Sequence, residues 1–174
     1  MMKEHIVIYV PSATNHLIHA RCSMNILSLF DGISIAQQAL KNVGIKVDNY
    51  YASEIDKYAI QITQKNFPNT IQLGDVCKLG KENPYPNELL NGGCDLMVFG
   101  SPCTNLSIAK KNREGLRGSE SGLFFDAIRI MYDLKPRYFL MENVKSMSQD
   151  SKDEITNTFL KYLADVKTSD ILES

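Results

Sequence analysis

Apolar residues fall in short runs, each closed by turn-forming residues and followed by apolar positions at helical spacing. Met24 to Phe30 is one such run, and Asp31-Gly32 breaks it, which predicts a short buried strand ending near Phe30. Beyond it, Ile35, Ala39, Leu40 and Val43 recur with helical period, and Gly44 stands where a left-handed residue closes a helix. The unit then repeats. Asp48 to Ile55 is strand-like, Asp56 is placed as an N-cap, and Tyr58, Ala59, Ile62 and Phe67 share a helical face that Pro68 ends. A third strand, Thr70 to Leu73, leads to Gly74-Asp75, and the stretch from Gly80 to Gly93 is mostly loop. Cys94 to Phe99 is the fourth strand, running into Gly100-Ser101-Pro102-Cys103. A polar loop comes next, then a helix from Leu123 to Leu134 and a fifth strand from Arg137 to Met141 that ends at Glu142-Asn143. Asp153 to Val166 fits one more amphipathic helix.

Strands alternating with helices predict an α/β fold with a doubly wound, mostly parallel sheet. Ligands of such sheets bind beyond the carboxyl ends of the strands, where the strand order reverses. Asp31, Glu54, Asp75, Cys103 and Glu142 each come just after a predicted strand, so all five are expected on one rim. Residues 1–23 differ in character from the rest of the chain and precede Met24, itself a good start. They are read as an appended arm, and 24–174 as the domain.

Length and composition narrow the picture. A chain of 174 residues suits one α/β domain. No apolar run approaches the length of a bilayer span, and Ile6 to Val10 is too short for a signal-peptide core, so a cytoplasmic protein without a membrane role is expected. Cys22, Cys77, Cys94 and Cys103 form no C-x-x-C pair and have no histidine at ligand spacing, which predicts reduced thiols and no metal site. A formal net charge of −1 lacks the basic footprint of a self-sufficient nucleic-acid binder.

Leu29-Phe30-Asp31-Gly32, Ser53-Glu54-Ile55, Gly74-Asp75-Val76, Gly100-Ser101-Pro102-Cys103 and Glu142-Asn143-Val144 stand after the five strands in turn. In order and placement this series resembles the motifs of cytosine-C5 DNA methyltransferases of phage and bacterial restriction-modification type, over roughly residues 24–165. The resemblance implies a Rossmann-like S-adenosylmethionine-dependent fold acting on cytosine in DNA.

Each motif also has a physical reading. Asp31-Gly32 at a tight turn lets backbone approach a ligand, and the helix N-terminus beyond offers N–H groups to a carboxylate. Phe30 is placed to pack on the cofactor, Glu54 to hold ribose hydroxyls, Ile55 to cover the adenine, and Asp75, beside Val76, to accept from its amino group. The resemblance implies the same roles for Phe30, Glu54, Ile55 and Asp75. Singly, such acids are equally well read as helix caps.

Methylating C5 of cytosine requires temporary loss of aromaticity, which a thiolate achieves by adding at C6. Cys103, after the turn stiffened by Ser101-Pro102, fits that nucleophile, with Pro102 counted among the cofactor residues; the bland alternative is a small buried hydrophobe. Cys94, at the start of its strand, reads as structural. Glu142 fits the acid at cytosine N3, and Asn143 the residue that fixes the loop. Lys110, Lys111, Arg113 and Arg117, among Gly115, Gly118 and Gly122, suit a lid closing on a phosphate backbone, or else a solvated polar loop. The target base would have to be flipped out of its duplex.

Complete members of the family continue past Glu-Asn-Val into a further catalytic motif, a target-recognition domain and a final cofactor motif, which residues up to Ser174 do not supply. Thr104 stands where many relatives carry Gln or Asn. The chain is therefore expected to be C-terminally truncated and to need a complementary chain or self-association, with an open sheet edge where missing strands would pair. Two other readings remain open: a catalytically inactive S-adenosylmethionine binder, and a regulatory or inhibitory partner of the same fold. A tRNA substrate is a further alternative to DNA.

Overall fold

The computed structural model describes residues 4–9, 23–100, 122–143 and 149–172. Six strands form one sheet: β1 (Glu4–Tyr9), β2 (Met24–Leu29), β3 (Val47–Ser53), β4 (Ile71–Gln72), β5 (Leu96–Phe99) and β6 (Tyr138–Asn143). Their order is β1-β6-β5-β2-β3-β4. The five strands from β2 onward are mutually parallel, and the order reverses between β2 and β5, the arrangement of a Rossmann-like doubly wound sheet. The helices are α1 (Ile35–Asn42), α2 (Lys57–Asn66), α3 (Gly122–Leu134) and α4 (Gln149–Leu172), with a short 3-10 turn at Asn87–Leu89.

The strand pattern alternates. In β5 and β6, Met97, Phe99, Phe139 and Met141 are buried while Leu96, Val98, Tyr138 and Leu140 are half-buried. The buried set packs under α3 and α4, whose Phe124, Ile130, Phe159 and Tyr162 belong to the same core. Phe159 is central there, its ring centroid 5.1 Å from Phe139, 6.0 Å from Phe124 and 6.3 Å from Phe99. On the opposite face Ile26, Tyr50 and Ala52 gather with Leu40 of α1. Helix caps follow expectation at two positions: Asp56 accepts the N–H groups of Tyr58 and Ala59, and Gly44 adopts a φ of +76°.

Two sequence expectations change. Within the arm of residues 1–23, Glu4–Tyr9 pairs antiparallel with β6, from Glu4 opposite Asn143 to Tyr9 opposite Tyr138. The outer side of β6 is thus paired with the chain's own β1, and among the described residues the outer strands are β1 and β4. The run Ile6 to Tyr9 was legible as apolar, but an antiparallel return across more than a hundred residues leaves no local signal. The last helix is longer than the expected Asp153 to Val166, beginning at Gln149 and ending at Leu172. No helix among the described residues is long and apolar enough to cross a membrane.

Candidate functional site

Register places the site. Leu29 of β2 lies opposite Ser53 of β3 and Phe99 of β5, and Phe99 lies opposite Met141 of β6. One residue further along each strand stand Phe30, Glu54, Gly100 and Glu142, at one level across the sheet. A cleft of about 280 Å³ opens there, lined by Phe30, Ser53, Glu54, Ile55, Gly74, Asp75, Val76, Gly100 and Leu123. It sits beside the point where strand order reverses.

The turn after β2 is strained and tightly held. Phe30 and Ser34 adopt left-handed backbone conformations, φ +56° and +61°, which are costly for side-chain-bearing residues. Asp31 supports them: its carboxylate accepts from the Ser34 hydroxyl and, at 2.8 Å, from the Tyr50 phenol. Burial first, and the Asp31 charge second, push that phenol far above its ordinary pKa, so Tyr50 stays a donor. Asp31 therefore faces the interior of its own turn and is not among the cleft residues. The N-cap of α1, Ser34, makes no side-chain cap, which leaves that helix terminus without a competing side-chain acceptor.

Glu54 bridges two elements. One carboxylate oxygen accepts the Gly32 N–H at 2.7 Å; the other accepts from Ile55 at 2.7 Å and Asp56 at 2.9 Å. A carboxylate has about four acceptor sites, so a further hydroxyl can be accommodated. Glu54 thus organises the backbone ahead of α2 and also lines the cleft. Ile55 is 74% exposed, an apolar flap at the cleft edge. Ser53 ties β3 to the next turn by donating 2.6 Å to the Gly74 carbonyl. Asp75 accepts the Cys77 N–H at 2.9 Å and lines the same wall as Val76.

Glu142 belongs to the adjoining part of the rim. A methyl group built on Gly100 would lie 3.0 Å from Glu142 Oε2, so glycine there lets the carboxylate settle against the end of β5. Asn143 closes β6 beside it. Ser101, Pro102, Cys103, Lys110, Lys111, Arg113 and Arg117 lie outside the described residues, as does the loop that carries them. Cys77 and Cys94 are free thiols; Cys94 is fully buried, and burial pushes its thiol up to about 12.

Of the residues expected at the cofactor site, Phe30, Glu54, Ile55, Asp75 and Val76 converge on the cleft. Gly32 stands behind it, bonded to Glu54. Ser53, Gly74 and Gly100 join as immediate sequence neighbours of the motif residues. Leu123, at the start of α3, was missed: nothing local distinguishes it from the core leucines of a helix, and only the return of α3 across the sheet brings it to the rim. The cleft's described lining contains apolar surface and two carboxylates but no basic side chain. That chemistry suits a ligand with hydroxyl and amino donors, of neutral or positive charge, better than a phosphate.

The model of the C-5 cytosine-specific DNA methylase family matches residues 24–167. The orphan methyltransferase M.Rho11sI of Bacillus phage rho11s is 34% identical over 145 residues, covering 82% of this chain and 27% of the relative. M.SPRI of Bacillus phage SPR is 32% identical, with 82% and 31% covered. The type II methyltransferase M.NgoBV of Neisseria gonorrhoeae is 30% identical, with 73% and 29% covered. The chain spans less than a third of the length of these relatives.

Proposed function

From the premise that this chain belongs to the C-5 cytosine-specific DNA methylase family, we propose that it binds S-adenosylmethionine in the strand-end cleft. It contributes the nucleophile and acid for methyl transfer to C5 of cytosine in DNA. The observation that carries this is the shared level of Phe30, Glu54, Gly100 and Glu142 beyond matched strand ends. It sets a cleft suited to a nucleoside beside a carboxylate at the end of the next strand.

The described residues fit the cofactor. Phe30, Ile55, Val76 and Leu123 offer apolar surface to an adenine, Glu54 an acceptor for ribose hydroxyls, and Asp75 an acceptor for the exocyclic amine. Two carboxylates also favour a sulfonium cation. Bound S-adenosylmethionine supplies an electrophilic methyl group. Cys103, three positions after Gly100, adds as thiolate to cytosine C6, while Glu142 stabilises the charge that develops at N3; once C5 carries the methyl group, loss of the C5 proton and elimination of the Cys103 thiolate restore the ring. Lys110, Lys111, Arg113 and Arg117 meet the DNA backbone, whose cytosine is flipped toward the rim.

Titration calorimetry with S-adenosylhomocysteine tests the cofactor half. The chain should bind, with Asp75→Ala weaker by roughly 10-fold as a buried donor loses its partner. Transfer of labelled methyl to cytosine-containing DNA, with and without a family C-terminal half supplied in trans, tests the rest, and Cys103→Ser should abolish it. Absence of S-adenosylhomocysteine binding would falsify the reading.

A further inference from the structure

Asp75 and Val76 lie beyond Gln72, the last residue of β4, and so outside the strand pairing that fixes β3 and β4. What lies behind them is one guanidinium. Arg129 of α3 donates 2.8 Å from Nη1 to the Leu79 carbonyl and 3.2 Å from Nη2 to the Val76 carbonyl. Its Nε and Nη2 each reach Asp126 Oδ1 at 3.3 Å. Lys81 closes on the same Asp126 oxygen at 3.2 Å. Tyr85 donates 2.6 Å to Asp133, one turn beyond Arg129 on α3. The turn from Asp75 to Tyr85 is therefore fastened to α3 at several points, and Arg129 grips its backbone directly behind the cleft wall.

The same helix reaches the cleft itself through Leu123, six residues before Arg129. α3 thus presents apolar surface to one side of the cleft through Leu123 and, through Arg129, bonds the backbone of the wall residue Val76. Cys77 lies half-buried in this knot: its N–H is bonded to Asp75, and its thiol is pushed up to about 11 by burial, then by Asp126 and Asp75. A planar fork bonding two carbonyls and a carboxylate fixes position in a way that a single ammonium cannot.

We propose that Arg129 is a positioning residue for nucleobase selection: by clamping the Val76 and Leu79 carbonyls to α3, it holds the Asp75 carboxylate where an exocyclic amino group is read. This rests on the reading of the cleft as an adenosine site. The full chain is titrated with S-adenosylhomocysteine and with S-inosylhomocysteine, whose 6-oxo group replaces the amine. The parent chain prefers the adenosyl ligand by on the order of 10-fold to 100-fold, the effect of leaving a buried acceptor unpaired. Arg129→Met and Arg129→Lys each reduce that ratio to roughly 3-fold or less, because the clamp no longer fixes Asp75. A ratio is insensitive to the fraction of chain that folds, and the lysine variant, which keeps charge and helix, decides the matter if the methionine variant does not fold. Affinities that fall in equal proportion, leaving the ratio intact, overturn the inference while the adenosine reading stands. Absence of binding, or equal affinity for both ligands in the parent chain, overturns the assignment of the cleft or of Asp75, and the inference with it.

Discussion

On one face of the sheet Leu27, Leu29, Met97, Phe99, Phe139 and Met141 are each at most 2% exposed beneath α3 and α4. On the other, Ile26, Tyr50 and Ala52 are nearly as well buried, but Leu96, Val98 and Leu140 are only half-covered, and Leu40 is the one buried residue of α1. The first face is built from large apolar side chains meeting ring to ring. On the second lie the buried Ser34 hydroxyl and the Tyr50 phenol, both bonded to Asp31 in the turn after β2. Burial of apolar area supports the scaffold on one side, whereas hydrogen bonds on the other hold a strained turn at the cleft.

Substitutions separate the two contributions. Phe159→Ala removes the ring on which Phe99, Phe124 and Phe139 converge, and should lower unfolding free energy by about 3–5 kcal/mol in urea titration. A cost near that of an exposed site would contradict the assignment of the main core to this face. Leu40→Ala, on the thinner face, should cost about 2 kcal/mol, the low end for a buried leucine. If it matched Phe159→Ala, the two faces would be energetically alike.

The smallest effect on stability belongs to Tyr50→Phe, about 1 kcal/mol for one hydrogen bond at neutral pH. Its effect on S-adenosylhomocysteine affinity should be larger in proportion, since Asp31 then loses a partner in the turn carrying Phe30. The same residue governs an alkaline limit. Its folded pKa is raised, so the neutral phenol contributes stability that is fully present below the unfolded value near 10 and lost as pH rises beyond it. Tyr85 and Cys94, both raised chiefly by burial, act in the same sense. Urea midpoints measured from pH 7 to pH 11 should fall above about 9, and less steeply above 10 in Tyr50→Phe.

Much of the rim was legible because the signals are local. A short apolar run ending in Asp-Gly, Glu or Gly-Asp marks both a strand end and a polar group just past it, so Phe30, Glu54 and Asp75 could be placed without coordinates. Asp31 shows the limit of that logic. Its position was correct, but its carboxylate turns to Ser34 and Tyr50, and a bond to a residue on the neighbouring strand depends on register. Arg129 illustrates the same limit more strongly: on a helical wheel it is one charged residue among several, and only packing reveals that it holds two carbonyls.

The amino-acid sequence by itself determined the alternation of strands and helices and the acids at the strand ends, because periodicity and turn chemistry act over a few residues. Only the tertiary structure decided that β1 pairs with β6, that Glu142 settles against Gly100, and that a later helix lines the cleft with Leu123 and holds the Val76 and Leu79 carbonyls through Arg129. Those outcomes depend on register and on crossover packing between segments dozens of residues apart, quantities set by the free energy of the whole sheet and written in no single stretch of chain.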